Sequence, residues 1–435
     1  MGGEGRLNLF QRMMLRWRGL HPYNPVHVVH VPAALDAQRL RAVLAARLEA
    51  LGLTGFELDA ARGRFRFAGG RAEVDLSVLP PAADGAAPAL QRLIEHEFNR
   101  PFPSGAGAQP WRFTAVDAPG SFHLVLSYDH FVAGGDPIAR LLTDIALVYL
   151  DAQAPPPAWT LQRYPPRYRS VFARHPGWAL RALLALPSLA ASNRRAFRLR
   201  HSKSQDASNG FMQLRLEAPQ LRALLAACKA WGVTLNDLLL AALLQALSPL
   251  AEARWREVRR RHIAVASIMN IKRDLSPGAE AVLSPCLAAL RIAHDVPAGL
   301  ELRALTLQVH AASHALKAQH RYLSSLFGLG LSALIWPFLN GVQRCGLYAK
   351  HYPLWAGATT LNLNPIWSDS GAARSAALDY MRAVPTGPMT PLVLAATTAH
   401  EVLHLGIAYR RAAYTAAAAE GIAARLLRCF EELRP

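Results

Sequence analysis

The stretch SYDHFVAGGDPIARLLTDIALVY, Ser127 to Tyr149, says more about the fold than any other part of the 435-residue chain. Just upstream and into it, Phe122, Leu124, Leu126, Tyr128 and His130 fall on one face of a strand, with the period of two of a half-buried β-segment. The chain then turns through Gly134 and Gly135. Asp136 followed by Pro137 reads as an N-cap and first helical residue, opening a helix that runs to about Leu150. His130 is therefore placed at a strand end beside a glycine turn, where an imidazole can face a cavity. Among sixteen histidines it is the one whose position marks it for function.

Working outward, WRFTAV and FHLVLSYD form a hairpin about the Pro119-Gly120 turn. Further upstream, VHVVHV (Val26 to Val31) reads as a strand. Asp36 caps a helix whose apolar face is Leu40, Val43, Leu44, Leu48 and Leu51, and Gly52 ends it. RFRF and EVDLSVL are short strands, and a second helix covers about Ala89 to Phe98. This order predicts two-layer α/β packing over residues 1–170. Residues 171–207 read as a basic linker that follows a Pro155–Pro157 run and contains NRRAFRLRHSKSQ, with a short amphipathic helix in GWALRALLALPSLAA that is expected to pack on the domain surface, membrane contact being the lesser alternative. Residues 208–435 repeat the alternating character: a strand FMQLRL, a helix from Pro219 to Trp231, a capping box at Thr234 and Asp237 before LLLAALLQAL, a strand HIAVASIM, and a last helix from about Thr415.

Composition narrows the class. The chain is 52% hydrophobic and 18% charged, which excludes disorder, and 48 lysines and arginines against 30 acidic residues give a formal charge of +18. Cys228, Cys286, Cys345 and Cys429 include no close pair, so neither a zinc knuckle nor a disulfide framework is indicated, and a reduced, cytoplasmic setting is expected. The first 24 residues lack a secretory apolar stretch, and Arg6 breaks the myristoylation pattern. Tyr322 to Gln343 is uncharged but interrupted by glycines, Pro337 and Asn340, which favours a buried or membrane-grazing helix over a span.

The stretch around His130 resembles the HHxxxDG motif of the chloramphenicol-acetyltransferase-like superfamily, which includes peptide-synthetase condensation domains, wax ester synthase/diacylglycerol acyltransferases and plant BAHD acyltransferases. Other segments agree in order: YNPVHVVHVPAALDAQRLRAVLAARLEALG with the opening strand and helix, QPWRFTAV with the strand before the motif, GVTLNDLLLAALLQAL with a GVTxND helix start, and GATTLNLNPIW with a small-residue and Asn segment. VLHLGIAYRRAAYTAAAAEGIAARLLRCFEEL matches the closing strand and helix. The resemblance implies an α/β fold of two chloramphenicol-acetyltransferase-like subdomains forming a pseudo-dimer, with a tunnel between them that substrates enter from opposite ends. It implies an acyltransferase in which His130 is the general base, taking a proton from a hydroxyl or amine acceptor as it attacks a thioester on coenzyme A or a phosphopantetheinyl carrier. The resemblance implies no bound cofactor, with the thioester as the donor substrate. Lipid or secondary-metabolite biosynthesis is the expected setting.

The sequence departs from the motif at two places. Asp129 replaces the first His, and Gly134 stands where relatives carry an Asp that pairs with an arginine to hold the loop. Asp136, already explained as a cap, is not simply counted as the missing carboxylate, with structural substitution by it as the lesser alternative, and Gly135 keeps the motif glycine. Thr360 and Asn362 occupy the segment that faces the tunnel in the superfamily, so they are candidates to stabilise an oxyanion, with ordinary backbone-bonded sheet positions as the alternative. The departure at Gly134 motivates a second reading, a catalytically silent relative that binds a carrier protein or lipid.

A third reading comes from His400, Glu401 and His404, which spell HExxH, with Glu420 where a third zinc ligand would come; that chemistry needs a helix. Here Leu403, Leu405, Ile407 and Tyr409 alternate as in a strand, so His400 and Glu401 belong in a hairpin turn and no metal is expected. Basic clusters at Arg194 to Lys203 and Arg254 to Arg261 lie in no recognised nucleic-acid module. Solvated loops are the first reading of both; after that, an acidic acyl carrier protein, the phosphates of coenzyme A or the anionic inner face of a membrane fits them better than nucleic acid.

Overall fold

Tyr128, the last residue of the hairpin strand before His130, pairs with Trp111 at the heart of the first of two large sheets. The structure is a computed structural model and describes residues 4–103, 107–151, 159–201, 206–275, 281–369, 375 and 377–433. The Pro155–Pro157 run and the end of the basic stretch, Ser202 to Gln205, lie outside the described residues. The first sheet has the order Asp379–Ala383, Val26–Val31, Ser121–Tyr128, Trp111–Ala118, Leu76–Leu79. Its neighbours are antiparallel except the last pair. Gly120 makes the hairpin turn with φ +69°, a conformation that costs glycine little.

The period-two pattern sorts onto two faces. Phe122, Leu124, Leu126 and Tyr128 pack with Ile138, Leu142 and Ile145 of the helix Gly135–Leu150 and with Leu40, Leu44 and Leu48 of the helix Ala37–Ala50. Val26, Val28 and Val125 point the other way, onto Leu90, Ile94 and Phe98 of the helix Ala86–Asn99. Asp36 caps as expected, its Oδ1 accepting from the backbone N–H groups of Gln38 and Arg39 at 3.0 Å.

The second sheet runs Leu287–His294, Ile263–Asn270, Ala356–Asn362, Leu392–Ala399, Val402–Arg410, Asn209–Leu216. The Thr234 and Asp237 capping box forms at the head of the helix Leu235–Leu247. That helix is apolar all round because it is buried all round, between the sheet and the helices Leu302–Ala318 and Ala416–Glu431.

The two halves are not independent. Asp379–Ala383 comes from the second half and joins the edge of the first sheet beside Val26–Val31. Gly406 permits the crossing: a Cβ there would lie 2.5 Å from the carbonyl oxygen of Arg382. The segment from Val282 to Cys286 also docks on the first half, through Leu283 N–H to the Gln162 carbonyl at 2.9 Å. In the stretch expected to link the halves, three helices fold, Arg169–Arg174, Pro176–Leu184 and Leu186–Arg195, and Val171 and Ala182 enter the second core.

Several expectations change. The helix opening at Asp136 begins earlier, at Gly135, with Gly134 as the extended N-cap residue and no side-chain cap. EVDLSVL is a strand only over Leu76–Leu79. The arginine-rich opening, read only for targeting signals, is the helix Leu9–Arg18, capped by Asn8 and burying Gln11, Met13, Met14 and Trp17. Tyr322 to Gln343 breaks into the helix Ser324–Ile335, a turn containing Pro337 and the start of the helix Gly341–His351. Among the described residues no single helix is long and apolar enough to cross a membrane.

Candidate active site

The strand end carries His130 into a cavity of about 160 Å3 between the two halves. Trp17, Tyr23, His27, Tyr128 and Asp136 line it from the first half; Asn270, Lys272, Leu326, Leu329, Thr360 and Arg382 line it from the second. Tyr23 lies with its ring centroid 5.1 Å from that of His130, and Tyr128 stands edge-on to it at 6.0 Å. This enclosure removes the imidazole from water, and burial lowers its pKa to about 4, the bond to Ala133 opposing the shift. The ring is therefore neutral at physiological pH.

Its tautomer is set by its partner. Nδ1 of His130 lies 3.2 Å from the Ala133 carbonyl oxygen, which can only accept. Nδ1 must carry the hydrogen, so Nε2 keeps its lone pair. A neutral, oriented imidazole with a free lone pair at a cavity wall is equipped to accept a proton there.

The loop after His130 is held without an aspartate at position 134. The Gln11 amide donates to the Phe131 carbonyl at 2.8 Å and to Ser284 Oγ at 3.2 Å, while the Gly134 N–H donates to the Leu283 carbonyl at 2.8 Å. Asp129, in the place of the first motif histidine, accepts from the Arg18 guanidinium. Burial pushes its carboxyl up to about 6 against the pull of Arg18, so it is ionised at neutral pH. A Cβ on Gly134 would sit 3.6 Å from Pro285 Cα and 3.8 Å from the carbonyl oxygens of Leu283 and Ser284. There is room for a methyl group there, but a carboxylate would face two acceptors.

Asp136 is the main correction to the sequence reading. Its carboxylate does not cap the helix; it accepts from the Asn270 side-chain amide at 2.6 Å and attracts the buried Arg382 guanidinium. Arg382 sits on the crossover strand, with Nε donating to Thr397 Oγ1 at 3.0 Å and Nη2 to the Ala396 carbonyl at 3.0 Å. A Cβ at Gly135 would come within 3.3 Å of its Nη1, so the motif glycine lets the arginine reach the helix start. Asp136 thus ties the motif helix to both partner strands of the second half.

Thr360 lines the His130 cavity at an exposed edge, whereas Asn362 lies outside it. Asn362 is one pleat further on, at the strand end, and its Oδ1 accepts from the Asn364 N–H at 3.0 Å. The HExxH residues occupy a hairpin: His400 is in the turn with φ +53°, its Nε2 donating to the Ser375 carbonyl at 3.0 Å. Glu401 pairs with Arg222, and His404 is in the strand, 2.7 Å from Asp379. The helix that zinc ligation by this motif requires does not form, and Glu420 belongs to the separate closing helix.

Sequence reasoning missed Gln11, Arg18, Asn270, Lys272 and Arg382. Gln11 has a signal in hindsight, since Asn8 and Gln11 have the spacing of a capping box. Arg382 has none, because nothing local shows that a strand from the second half enters the first sheet.

No protein-family model and no curated protein matches the sequence. Solved structures match over nearly the whole chain. The first condensation domain of the CDA synthetase superposes with a TM-score of 0.69 at 14% identity, covering 99% of this chain and 96% of that one. The starter condensation domain of rhizomide synthetase, a mutant solved with C8-CoA and Leu-SNAC, gives 0.68 at 14% identity, covering 99% and 94%. The epimerization domain from the third module of tyrocidine synthetase B gives 0.65 at 13%, covering 100% and 97%. The chain has the condensation-domain fold.

Proposed function

With the condensation-domain fold as premise, we propose that this protein is a thioester-dependent acyltransferase, with His130 as the base that receives the proton of a hydroxyl or amine acceptor. The observation that carries the reading is the state of His130: neutral, with Nδ1–H held by Ala133 and Nε2 free, in a cavity walled by both halves. The acceptor oxygen or nitrogen attacks the thioester carbon, its proton passes to Nε2, and the carbon–sulfur bond breaks as the tetrahedral intermediate collapses. The departing thiolate then takes the proton from the imidazolium. An imidazolium as acidic as that of His130 is a ready donor to a thiolate, whose conjugate thiol has a pKa of about 8.5.

Lys272 and Thr360 are the groups on the cavity wall proposed to face the oxyanion. Asp136, Arg382 and Asn270 hold the two halves in register around the reacting atoms and are positioning residues. The donor is an acyl thioester of coenzyme A or of a phosphopantetheinyl carrier, as in the starter condensation domain solved with C8-CoA. Incubation with a panel of acyl thioesters and acceptors, monitored by release of free thiol, tests the reading. Acceptor-dependent release that falls about 10²- to 10⁴-fold in His130→Ala is expected. Tight carrier-protein binding without turnover would support a silent relative instead.

A further inference from the structure

Two segments of the chain contain no acidic residue: 159–201, with nine arginines, and 302–368, with three arginines and two lysines. They are neighbours in the fold. Ser324 Oγ donates to the Ala182 carbonyl at 3.0 Å, Arg321 donates to Ser188 Oγ at 3.1 Å, and Phe172 stacks on Phe327 with centroids 5.0 Å apart. Asp274 borders them, its carboxylate accepting from the Tyr322 hydroxyl at 2.9 Å, and the arginine-rich region also carries large apolar side chains outward. Leu180, Leu183 and Leu184 project opposite the buried Ala182 of their helix, at 58%, 45% and 70% exposure; Leu331, Leu334 and Phe338 are 61%, 69% and 85% exposed. Val342 continues the series at the start of the helix Gly341–His351.

Single exposed leucines need no explanation, but a set on adjacent helices, in a region where cations outnumber carboxylates, does. We propose that the helix Pro176–Leu184 and the segment from Leu331 to Val342 form a docking face for an anionic lipid bilayer, the leucines and Phe338 entering the acyl region while the surrounding arginines and lysines meet lipid headgroups. Aliphatic side chains on helix faces suit insertion at a lipid interface, and an excess of cations suits an anionic surface. An acidic protein would be drawn by the same cations, but it does not account for Phe338 and Val342, which are almost fully in solvent. The helix Ser324–Ile335 connects this face to the chemistry: Leu331 and Leu334 point out, and Leu326 and Leu329 line the His130 cavity. In that respect only, the inference rests on the acyltransferase reading and specifies its substrate as one carrying a hydrocarbon chain.

Vesicle binding tests the docking face without calling on catalysis, so failure here is separate from failure of the enzymatic reading. The full chain is sedimented with vesicles of phosphatidylcholine alone and of phosphatidylcholine with 30% phosphatidylserine, at low and high salt. Binding to the anionic vesicles, weakened by salt and reduced at least tenfold in the combined Leu184→Ser, Leu331→Ser, Leu334→Ser and Phe338→Ser variant, is expected. A second readout uses Cys345, the exposed cysteine of the helix Gly341–His351, where an environment-sensitive fluorophore should shift to the blue on anionic vesicles. Absence of vesicle binding, undiminished binding of the variant, or capture of a purified acidic carrier protein in place of vesicles through these residues would each overturn the proposal.

Discussion

At the residue scale, Gly134 decides how the motif is to be understood. A loop that had lost its aspartate by decay should recover when the aspartate is restored. Here the Gly134 N–H is bonded to Leu283, and the carbonyls of Leu283 and Ser284 face the position a side chain would take. Gly134→Asp is therefore expected to lower activity at least tenfold and to lower the melting temperature, because it buries a carboxylate against acceptors. Recovery of activity would contradict this. Gln11→Ala should cost about 1–3 kcal/mol in denaturant unfolding, since it strips the buried Phe131 carbonyl of its amide donor. For His130, burial sets the pH dependence. With a folded pKa of about 4, the base is available down to mildly acidic pH, and the acid limb of kcat/KM should lie near 4. A limb near 6.5 would mean that the imidazole is solvated in the working enzyme.

At the scale of elements, the sequence was legible where a signal is local. The hairpin before His130, the Asp36 cap, the Thr234 and Asp237 box and the closing helix from Thr415 all depend on residues within one turn or one pleat of each other, and all are present. Reading failed where tertiary packing overrides a local rule. Asp136 has the residue type and spacing of an N-cap, yet the helix begins two residues sooner because its carboxylate is taken by Asn270 and Arg382 across the interface. Asn362 belongs to the expected strand, but its side chain is engaged by the Asn364 N–H instead of facing the cavity. His130 was visible as a strand-end residue, whereas the Gln11, Leu283 and Arg382 contacts that shape its surroundings come from 119 to 252 residues away in the chain and leave no periodic trace. Asp136→Asn, which keeps a hydrogen-bond acceptor for Asn270 but removes the charge that balances Arg382, should raise KM or lower kcat modestly. Asp136→Ala should cost more; equal activity in all three proteins would remove Asp136 from the site.

At the scale of the whole molecule, burial of neutral histidines ties stability to pH. Burial lowers His21 to about 3, His123 and His130 to about 4, and His27 well below its ordinary value. In each case the unfolded chain binds a proton at a higher pH than the native one. Their contribution is therefore complete above about pH 6.5 and is lost as pH falls from there toward 4. Asp129, raised to about 6, and Asp144, also raised by burial, act in the opposite sense as pH falls, but they are two groups against four. Between pH 7 and pH 5 the loss should be on the order of 2 kcal/mol for each of His21 and His130, visible as a falling melting temperature. A melting temperature that rises over this range would contradict the burial of these rings. The fold brings two halves together on a cavity, and the central claim is that His130 Nε2 moves a proton there. The most direct test is single-turnover acyl transfer from a thioester to an acceptor, with the acylated product identified by mass, in the wild type and in His130→Ala. Acceptor-dependent product is predicted in the wild type, with a loss of about 10²-fold or more in the variant and the fold intact by circular dichroism. Equal product from both proteins would contradict the claim.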